Sequence, residues 1–533
     1  MKPIKDLNLG FSDAENYKRS SVKTLFNQFF VRTEALDKLC STETFFLIGE
    51  KGTGKTAYSV YLSNNEYHNT HGKIAYIRET EYRSFVALKR SRKLELSDFV
   101  DVWKVILCLL LAQGIREINV KGKRGKNIQR LELIQRAIDT YYNQAFKPEI
   151  AYALDFLKDS SVAADLICKS LQNLDIQQET MHFDEARFQS NLLFLQRQFE
   201  EALGSLKLQK TEILFIDGID IRPSSIPYGD YLDCIRALAN AVWALNNDVF
   251  PRFKDTPGKL KVILLIRPDI FVKLGLQNQN AKIRDNSVFL DWRTTYKDYR
   301  SSALFQLADR ILSSQQEQTV EAGESWDCYF PFKRQYIMAS STASRQDDSF
   351  ISVLRFSLYR PRDIITMLTI LRDVFIDQGR GPTDVFQEED FDDPDFRRQY
   401  ADYLLGEIKD HLAFYYSDED YELFLSFFQY LDGKVTFTYD EYIAAFSRFE
   451  LFARETSKQK PAFFESPDAF LQFLYELNIL SYSEQTEDEK FHRWCFRERT
   501  YSNIAPKVKT HERYGIHYGI ARALNAGKRI VRH

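Results

Sequence analysis

The chain of 533 residues has little cysteine, glycine or proline and no long apolar run. Its six cysteines are scattered without a C-x-x-C pair, which is typical of reduced thiols in a cytoplasm rather than of a disulfide framework. The 21 glycines and 14 prolines predict long helices and few irregular loops. The longest apolar stretch, residues 102–112, contains Lys104 and falls short of the about 20 residues that a membrane helix needs. We therefore expect a buried helix there and no membrane partner.

Charges of the two signs nearly cancel, with 72 Lys and Arg against 75 Asp and Glu. This balance argues against a protein that coats nucleic acid by bulk electrostatics, although local basic patches stay open. The first 16 residues show no apolar run after their basic residues, so no signal peptide is expected. Aromatic residues are abundant at 14%. We expect much of this excess to fill the core of a small helical module within residues 396–501.

Apolar runs alternate with helical patterns along much of the chain. The runs lie at residues 44–49, 73–77, 212–216 and 261–266, with a weaker one at 287–290. Uninterrupted runs of this length are typical of strands buried on both faces of a parallel sheet. The alternation predicts an α/β fold with a parallel sheet.

Composition and periodicity divide the chain into five predicted parts. They are an α/β core (1–84 and 206–291), a helical insertion within it (85–205), a helical lid (292–376), an acidic linker (377–395) and a C-terminal domain (396–533).

The strongest motif is GEKGTGKT, an intact G-x-x-x-x-G-K-[ST] phosphate loop. It follows an apolar run and opens a predicted helix over residues 57–63, which is the context that the motif requires. In such loops backbone N–H groups surround the β-phosphate, the lysine reaches the β and γ oxygens, and the threonine hydroxyl binds Mg²⁺. The alternative is a glycine turn with an incidental lysine. The residues predicted to bind nucleotide are Gly49, Glu50, Lys51, Gly52, Thr53, Gly54, Lys55 and Thr56.

Two carboxylates follow the run at 212–216. Asp217 comes directly after that run, where a phosphate-loop site places the acid that shares Mg²⁺ with Thr56. Gly218 stands where a water-activating glutamate is usual, so hydrolysis requires another acid, and Asp220 is the nearest candidate. The alternative interpretation of Asp220 is a helix cap or an ordinary loop carboxylate.

Two arginines are candidates for contact with the γ-phosphate. Arg267 follows the run at 261–266, where it would sense that phosphate or stabilise transition-state charge. The alternative is a structural salt bridge to Asp220 or Asp269. Arg362 lies beside Pro361, which fits the first turn of a helix, and would point from that turn to the nucleotide. The alternative for Arg362 is an ordinary surface arginine.

Taken together, the motifs GEKGTGKT, FIDGID, LLIRP and RPRD resemble the STAND and NACHT-type branch of the AAA+ ATPases. The segments LGFSDAEN, VFLDW and YRPRDII are similar to a bacterial family of P-loop ATPases often noted near phage-defence genes. The resemblance covers roughly residues 7–80, 210–375 and, more loosely, 396–525. It implies ATP phosphates at Lys55, Mg²⁺ at Thr56 and Asp217, and sensing of the nucleotide state by the two arginines. Gly218 departs from the AAA+ pattern, which predicts slow turnover.

The C-terminal domain resembles a winged helix of the kind that follows the lid in STAND and origin-recognition ATPases. Such a fold either reads DNA or closes on the ATPase core. Residues 491–533 hold ten Lys or Arg against two Glu, and this basic tail is a candidate phosphate-binding face. The resemblance places helices at 396–416, 418–431 and 470–477 and wing strands at 479–482 and 494–496.

The leading hypothesis is an ATP-binding, slowly hydrolysing switch in the cytoplasm. It would control a separate effector protein or its own assembly as a homo-oligomer, and the resemblance suggests antiviral defence as the setting. One alternative is a DNA-binding initiator or loader that uses the winged helix and the basic tail. Another is a pseudo-ATPase scaffold in which nucleotide only stabilises the fold.

Overall fold

The computed structural model describes residues 1–77, 96–115, 196–197, 199–200, 203–204, 206–223, 225–254, 256–337, 344–456, 461–485 and 490–527. The chain forms two compact units. The sheet unit comprises Glu34–Gly49 and Lys55–Phe289, and the C-terminal unit comprises Met1–Thr33, Glu50–Gly54 and Leu290–His533.

The described elements are numbered in chain order. The strands are β1 (Phe46–Ile48), β2 (Thr70–Tyr76), β3 (Thr211–Asp217), β4 (Leu260–Ile266), β5 (Ser287–Phe289), β6 (Lys333–Ile337), β7 (Ser344–Asp348), β8 (Thr436–Thr438), β9 (Leu480–Gln485), β10 (Lys490–Arg493) and β11 (Arg513–Ile516). The α-helices are α1 (Lys23–Phe29), α2 (Glu34–Cys40), α3 (Lys55–Asn64), α4 (Leu96–Gly114), α5 (Tyr228–Ala244), α6 (Pro268–Lys273), α7 (Gln279–Asn286), α8 (Ala303–Ser313), α9 (Glu324–Tyr329), α10 (Ser349–Phe356), α11 (Pro361–Asp377), α12 (Pro394–Leu412), α13 (Asp418–Ser426), α14 (Tyr439–Thr456), α15 (Pro467–Glu476) and α16 (Cys495–Glu498).

The sheet unit is built on five parallel strands in the order β2-β3-β4-β1-β5. Every residue of β4 is buried, and in β3 only the first residue is not. Strands covered on both faces need apolar side chains on both sides, which is why they read as continuous apolar runs. The prediction of an α/β fold with a parallel sheet is confirmed.

Lys261 is a charged residue inside the buried strand β4. Its ammonium donates hydrogen bonds to the carbonyl oxygens of Leu39, at 2.6 Å, and Ser41, at the end of α2. Burial lowers the pKa of Lys261 to about 7. The lysine therefore satisfies helix-end carbonyls that would otherwise lack donors.

Helix α4 confirms the buried helix expected over residues 102–112, since Val102, Ile106 and Leu107 are all fully buried. It lies against α5 and β3. Most of the predicted insertion, residues 85–205, falls outside the described residues. Among the helices in the described ranges, none combines the length and the apolar character needed to cross a membrane.

The C-terminal unit has one continuous apolar core. That core includes Leu7 from the N-terminal segment, Phe356 from the predicted lid and Phe396 from the predicted C-terminal domain. The rings of Phe356 and Phe396 lie 5.4 Å apart, edge to face. This core thus joins segments that the sequence assigned to three different parts.

The acidic segment 377–395 differs from the predicted linker because it is packed into this core. Phe386 and Phe391 are 2% and 0% exposed. The carboxylates of Glu388 and Asp392 pair with Arg334, at 3.1 and 2.8 Å. Its glycines, proline and acids indicated a spacer. The segment is packed instead because its two phenylalanines are buried in the core.

The C-terminal end combines helices with a four-stranded antiparallel sheet in the order β10-β9-β11-β8. Predicted helices at 396–416, 418–431 and 470–477 correspond to α12, α13 and α15. The predicted wing strand at 479–482 falls in β9, but the one at 494–496 is wrong. Strand β9 pairs instead with β10 and β11, and after β10 the chain turns into the short helix α16, where Asn478 accepts a hydrogen bond from the Phe496 N–H at 2.8 Å.

Candidate functional site

In the sheet unit, the phosphate-loop motif has the predicted context of a strand followed by a helix. Strand β1 ends at Ile48, the N–H of Gly49 donates to the carbonyl of Ile266 at 3.2 Å, and α3 begins at Lys55. Lys55 is 7% exposed, and its ammonium donates to the Gly49 carbonyl at 2.9 Å. A lysine charge is therefore held at the carboxyl end of β1.

Thr56 and Asp217 meet although they are far apart in the sequence. The Thr56 hydroxyl donates to Asp217 Oδ2 at 2.7 Å, and the Gly218 N–H donates to Asp217 Oδ1 at 2.8 Å. Asp217 is the last residue of β3, and Thr56 lies in the first turn of α3. The structure thus brings the two predicted Mg²⁺ ligands together at the carboxyl ends of the parallel strands.

Asp217 has an unusual protonation equilibrium. Burial, and then the neighbouring charge of Asp220, raise the pKa of Asp217 to about 6, against the opposing effects of Thr56, Lys55 and the Gly218 N–H. A buried carboxylate with a raised pKa is destabilised in its ionised form and gains from a cation placed beside it. Asp220 itself is half-buried in the turn after β3.

The donor atoms at this point fit Mg²⁺. This ion takes hard oxygen ligands and is usually bound by one or two carboxylates together with substrate phosphates and water. Thr56 and Asp217 supply a hydroxyl and a carboxylate. Across the described ranges, no group of three or more His, Cys, Asp or Glu side chains is arranged to hold a metal ion. The arrangement suits a metal that arrives with phosphate oxygens.

The middle of the loop, Glu50–Gly54, belongs to the C-terminal unit. Gly52 and Gly54 have φ angles of +84° and +93°, in the left-handed region that favours glycine. A Cβ added to Gly52 would lie 3.2 Å from Cβ of Arg362. These glycines are therefore required by the backbone conformation of the loop.

Three successive loop carbonyls accept hydrogen bonds from the C-terminal unit. The carbonyl of Lys51 accepts from Arg360 Nη1 at 3.1 Å, and that of Gly52 accepts from the Arg362 N–H at 3.3 Å. The carbonyl of Thr53 accepts from the Trp292 indole at 2.9 Å. The start of α11 and the segment after β5 thus hold the conformation of the loop.

The sequence analysis did not identify Arg360, whose side chain binds the phosphate loop. It is 6% exposed and forms a two-pronged ion pair with Asp363, which is fully buried. The residue before a proline is restricted to extended backbone, and Arg360 has φ −116° and ψ 141° ahead of Pro361. The R-P-R-D motif contains this signal, since the proline fixes which arginine lies outside the helix.

Arg362, predicted to point to the nucleotide, has its guanidinium in other contacts. It pairs with Glu407 at 3.2 Å and donates to the Ser12 carbonyl at 3.2 Å. Arg362 meets the loop through its backbone N–H and its Cβ. A sensing role for its side chain stays a prediction.

The side chains of Glu50 and Lys51 also contact residues of the C-terminal unit. Glu50 pairs with Arg499, and Lys51 pairs with Asp410 at 2.5 Å and Glu407 at 3.5 Å. Their predicted contribution to phosphate binding is therefore through the backbone.

Arg267 forms one of the two salt bridges that the sequence analysis gave as the alternative to a sensing role, the one with Asp269. It is 1% exposed and binds both carboxylate oxygens of Asp269, at 3.0 and 2.6 Å. This bidentate pair fixes the guanidinium at the start of α6. Its role as a γ-phosphate sensor, like the catalytic role of Asp220, stays a prediction.

Part of the basic tail is compensated inside the fold. Arg493 pairs with Glu484 at 2.9 Å and Glu498 at 3.2 Å, and Lys509 also pairs with Glu484. Arg499 is taken by Glu50 of the loop. The last three basic residues of the tail, Lys528, Arg529 and Arg532, lie outside the described residues.

Comparisons with protein-family models, with curated proteins and with solved structures found no match to the chain. The functional proposal therefore rests on the motifs and on the geometry described above.

Proposed function

We propose that the chain binds ATP with Mg²⁺ through residues 49–56 and acts as a slowly hydrolysing molecular switch. The observation that carries the proposal is the 2.7 Å hydrogen bond between Thr56 and Asp217, beside the buried ammonium of Lys55. A hydroxyl, a carboxylate and a lysine at the carboxyl ends of parallel strands are the groups that a phosphate-bound metal requires. The resemblance to STAND and NACHT-type ATPases supports ATP as the nucleotide.

Each group has a role in this proposal. Lys55 binds β- and γ-phosphate oxygens, and Thr56 and Asp217 hold Mg²⁺, which neutralises charge on the phosphates when bound. Asp220 orients the attacking water. Gly218 has a φ of +86° and leaves no room for a side chain, since a Cβ there would lie 2.7 Å from the Ile77 carbonyl oxygen. The missing glutamate supports slow turnover.

The proposed switch rests on the contacts between the loop and the rest of the C-terminal unit. Its carbonyls and the Glu50 and Lys51 side chains are bound to α11, α12 and the segment after α16. A change in the loop on phosphate binding would alter these contacts and so change the conformation of the C-terminal unit. Helices combined with an antiparallel sheet support a winged-helix-like module that controls an effector protein or a second copy of the chain.

Equilibrium binding of ATP to the full chain tests the proposal. Lys55→Ala removes a charge-assisted contact and should weaken ATP binding by about tenfold or more. Lys51→Ala is the matched control, because it removes a neighbouring loop lysine whose side chain pairs with Glu407 and Asp410. Unchanged ATP affinity in Lys55→Ala would overturn the proposal.

Phosphate release separates a switch that turns over from a scaffold that only binds. Slow release by the wild-type chain that is lost in both Asp217→Ala and Asp220→Ala supports hydrolysis at this site. Binding without any release would favour the pseudo-ATPase scaffold.

A further inference from the structure

A cavity of about 320 Å³ lies within the C-terminal unit, and no residue of the phosphate loop is among the residues that line it. Helix α10, the segment around α16 and the residues after β11 form its walls. The volume is at the small end of the range for ligand sites. It accommodates a single ring system with one small substituent.

Three arginines line this cavity, and two of them are neutralised by carboxylates. Arg334 pairs with Glu388 and Asp392, and Arg355 pairs with Asp347 at 2.9 Å. The third, Arg497, contacts the hydroxyls of Tyr359 and Tyr296. Phenols are uncharged near neutral pH, so these contacts leave its positive charge uncompensated.

Arg497 forms no ion pair with a carboxylate of the described residues. Its guanidinium lies over the rings of Tyr296 and Phe496, at 5.5 and 5.8 Å from the centroids. Burial lowers the pKa of the adjacent His517 to about 4, so this imidazole adds no second charge near pH 7. A single unpaired cation at an enclosed surface attracts an anion.

Two polar atoms at the cavity lack hydrogen-bond partners among the residues that the structure describes. They are the Oγ of Ser352, whose residue is 2% exposed, and the Nε of Arg497. Buried polar atoms are almost always paired in folded proteins, and each exception calls for a missing partner. Ser352 and Arg497 therefore keep unmet hydrogen-bonding capacity in the wall of the cavity.

The remaining walls are largely aromatic. Trp494, Phe356 and Tyr518 line the cavity, and Tyr518 is 45% exposed, which places it at the opening. Aromatic walls favour a planar ring, and a guanidinium with a hydroxyl favours a phosphate or carboxylate.

We propose that this cavity is a binding site for a small organic anion that carries a planar ring, separate from the phosphate loop. Arg497 and Ser352 bind the anionic group, and the rings of Trp494 and Tyr296 hold the planar part. The site adds a ligand to a chain whose proposed function accounts only for the nucleotide.

Calorimetric titration of the full chain with 1-naphthyl phosphate tests this site. We expect saturable binding with a Kd at or below about 1 mM. The ring without the charge, 1-naphthol, and the charge without the ring, inorganic phosphate, should each bind about tenfold more weakly or worse.

Variants assign the binding to the cavity. Arg497→Gln should weaken binding by about tenfold or more, and Ser352→Ala, which removes only a hydroxyl, by several-fold. Arg513→Gln, at an exposed position on β11, is the control for loss of positive charge and should leave affinity unchanged. Lys55→Ala should also bind normally, which separates this site from the phosphate loop. Thermal melting checks that every variant is folded.

The proposal is overturned by an absence of saturable binding in the wild-type chain. Equal affinity in folded Arg497→Gln and in folded Ser352→Ala would also overturn it, as would loss of binding in Lys55→Ala.

Discussion

Gly218 shows why a single position limits the chemistry of the candidate site. An inserted glutamate would restore the residue that usually activates water, but the φ of +86° and the Ile77 carbonyl oxygen, 2.7 Å from where a Cβ would lie, leave no room for it. Gly218→Glu should therefore lower the melting temperature, by an amount equivalent to about 1–3 kcal/mol, and leave phosphate release no faster. Gly218→Ala, with the same clash and no carboxylate, is the matched control. Faster release by Gly218→Glu would show that the site tolerates the glutamate.

For Asp217, the protonated form that favours stability differs from the ionised form that would bind Mg²⁺. Its pKa is raised from 3.8 to about 6, so the stability that its protonated form contributes is complete below about pH 4 and is lost as the pH rises through 6. Without nucleotide, Asp217→Asn should be more stable than the wild type by about 2–3 kcal/mol at pH 8, and nearly equal at pH 4. Denaturant unfolding at the two pH values measures this difference. A variant that is less stable at pH 8 would contradict it.

At the residue scale, the motifs predicted the residues of the site better than they predicted the residues that pair with them. The loop residues and Asp217 were predictable because a phosphate site needs particular atoms at a particular spacing. The partners of Glu50 and Lys51 were not, since an ion pair between Glu50 and Arg499 depends on tertiary packing that no local pattern records. Asp269, the partner of Arg267, was one of two candidates that the sequence offered.

The start of α11 is the element on which the loop most depends. Asp363 is fully buried and accepts from Arg360, from the Tyr403 hydroxyl at 2.8 Å and from the Leu358 N–H at 2.9 Å. Asp363→Ala leaves the guanidinium of Arg360 buried without its main counter-charge and should destabilise the C-terminal unit by about 3–5 kcal/mol.

Asp363→Asn is the control, because it removes the charge and keeps one acceptor oxygen, while the other oxygen becomes an NH₂ donor. We expect it to lower the stability of the C-terminal unit less than Asp363→Ala does. Both variants should bind ATP more weakly, because Arg360, the donor to the Lys51 carbonyl, is no longer held in place. Denaturation midpoints and ATP affinity measure the two effects. An alanine variant as stable as the wild type would show that the ion pair does not hold this element.

Elements with long apolar patterns were predictable, and those fixed by distant contacts were not. Strands β1, β3 and β4 and helix α4 follow from apolar runs that are buried along nearly their whole length. The strand expected at 494–496 is instead a turn and α16, because Asn478 and the buried Cys495 fix the chain there. Likewise, Phe386 and Phe391 convert the expected acidic linker into part of a core.

At the scale of the whole molecule, charges of the two signs nearly cancel, and many of the charged side chains also form ion pairs with one another. Basic residues beyond 490 pair with Glu484, Glu498 and Glu50, which lowers the charge available to a phosphate backbone. We therefore expect no gel shift of duplex DNA at about 150 mM salt. A salt-dependent shift that Arg493→Gln weakens would instead favour the initiator or loader alternative.

The aromatic excess also has its explanation at this scale. Phenylalanine and tyrosine rings fill one core that runs from the N-terminal segment to β11. The composition predicted dense aromatic packing, but not that residues 1–33, the lid and the C-terminal end share it. A shared core depends on which distant segments pack together, and composition does not contain that information.

The dependence of ATP affinity on Mg²⁺ tests the central claim most directly. Calorimetric titration of the full chain should show ATP binding that is strengthened about tenfold or more by Mg²⁺. Thr56→Ala should lose this Mg²⁺ effect, and Thr56→Ser, which keeps the hydroxyl, should retain it. An equal Mg²⁺ effect in the wild type and in Thr56→Ala would contradict the account.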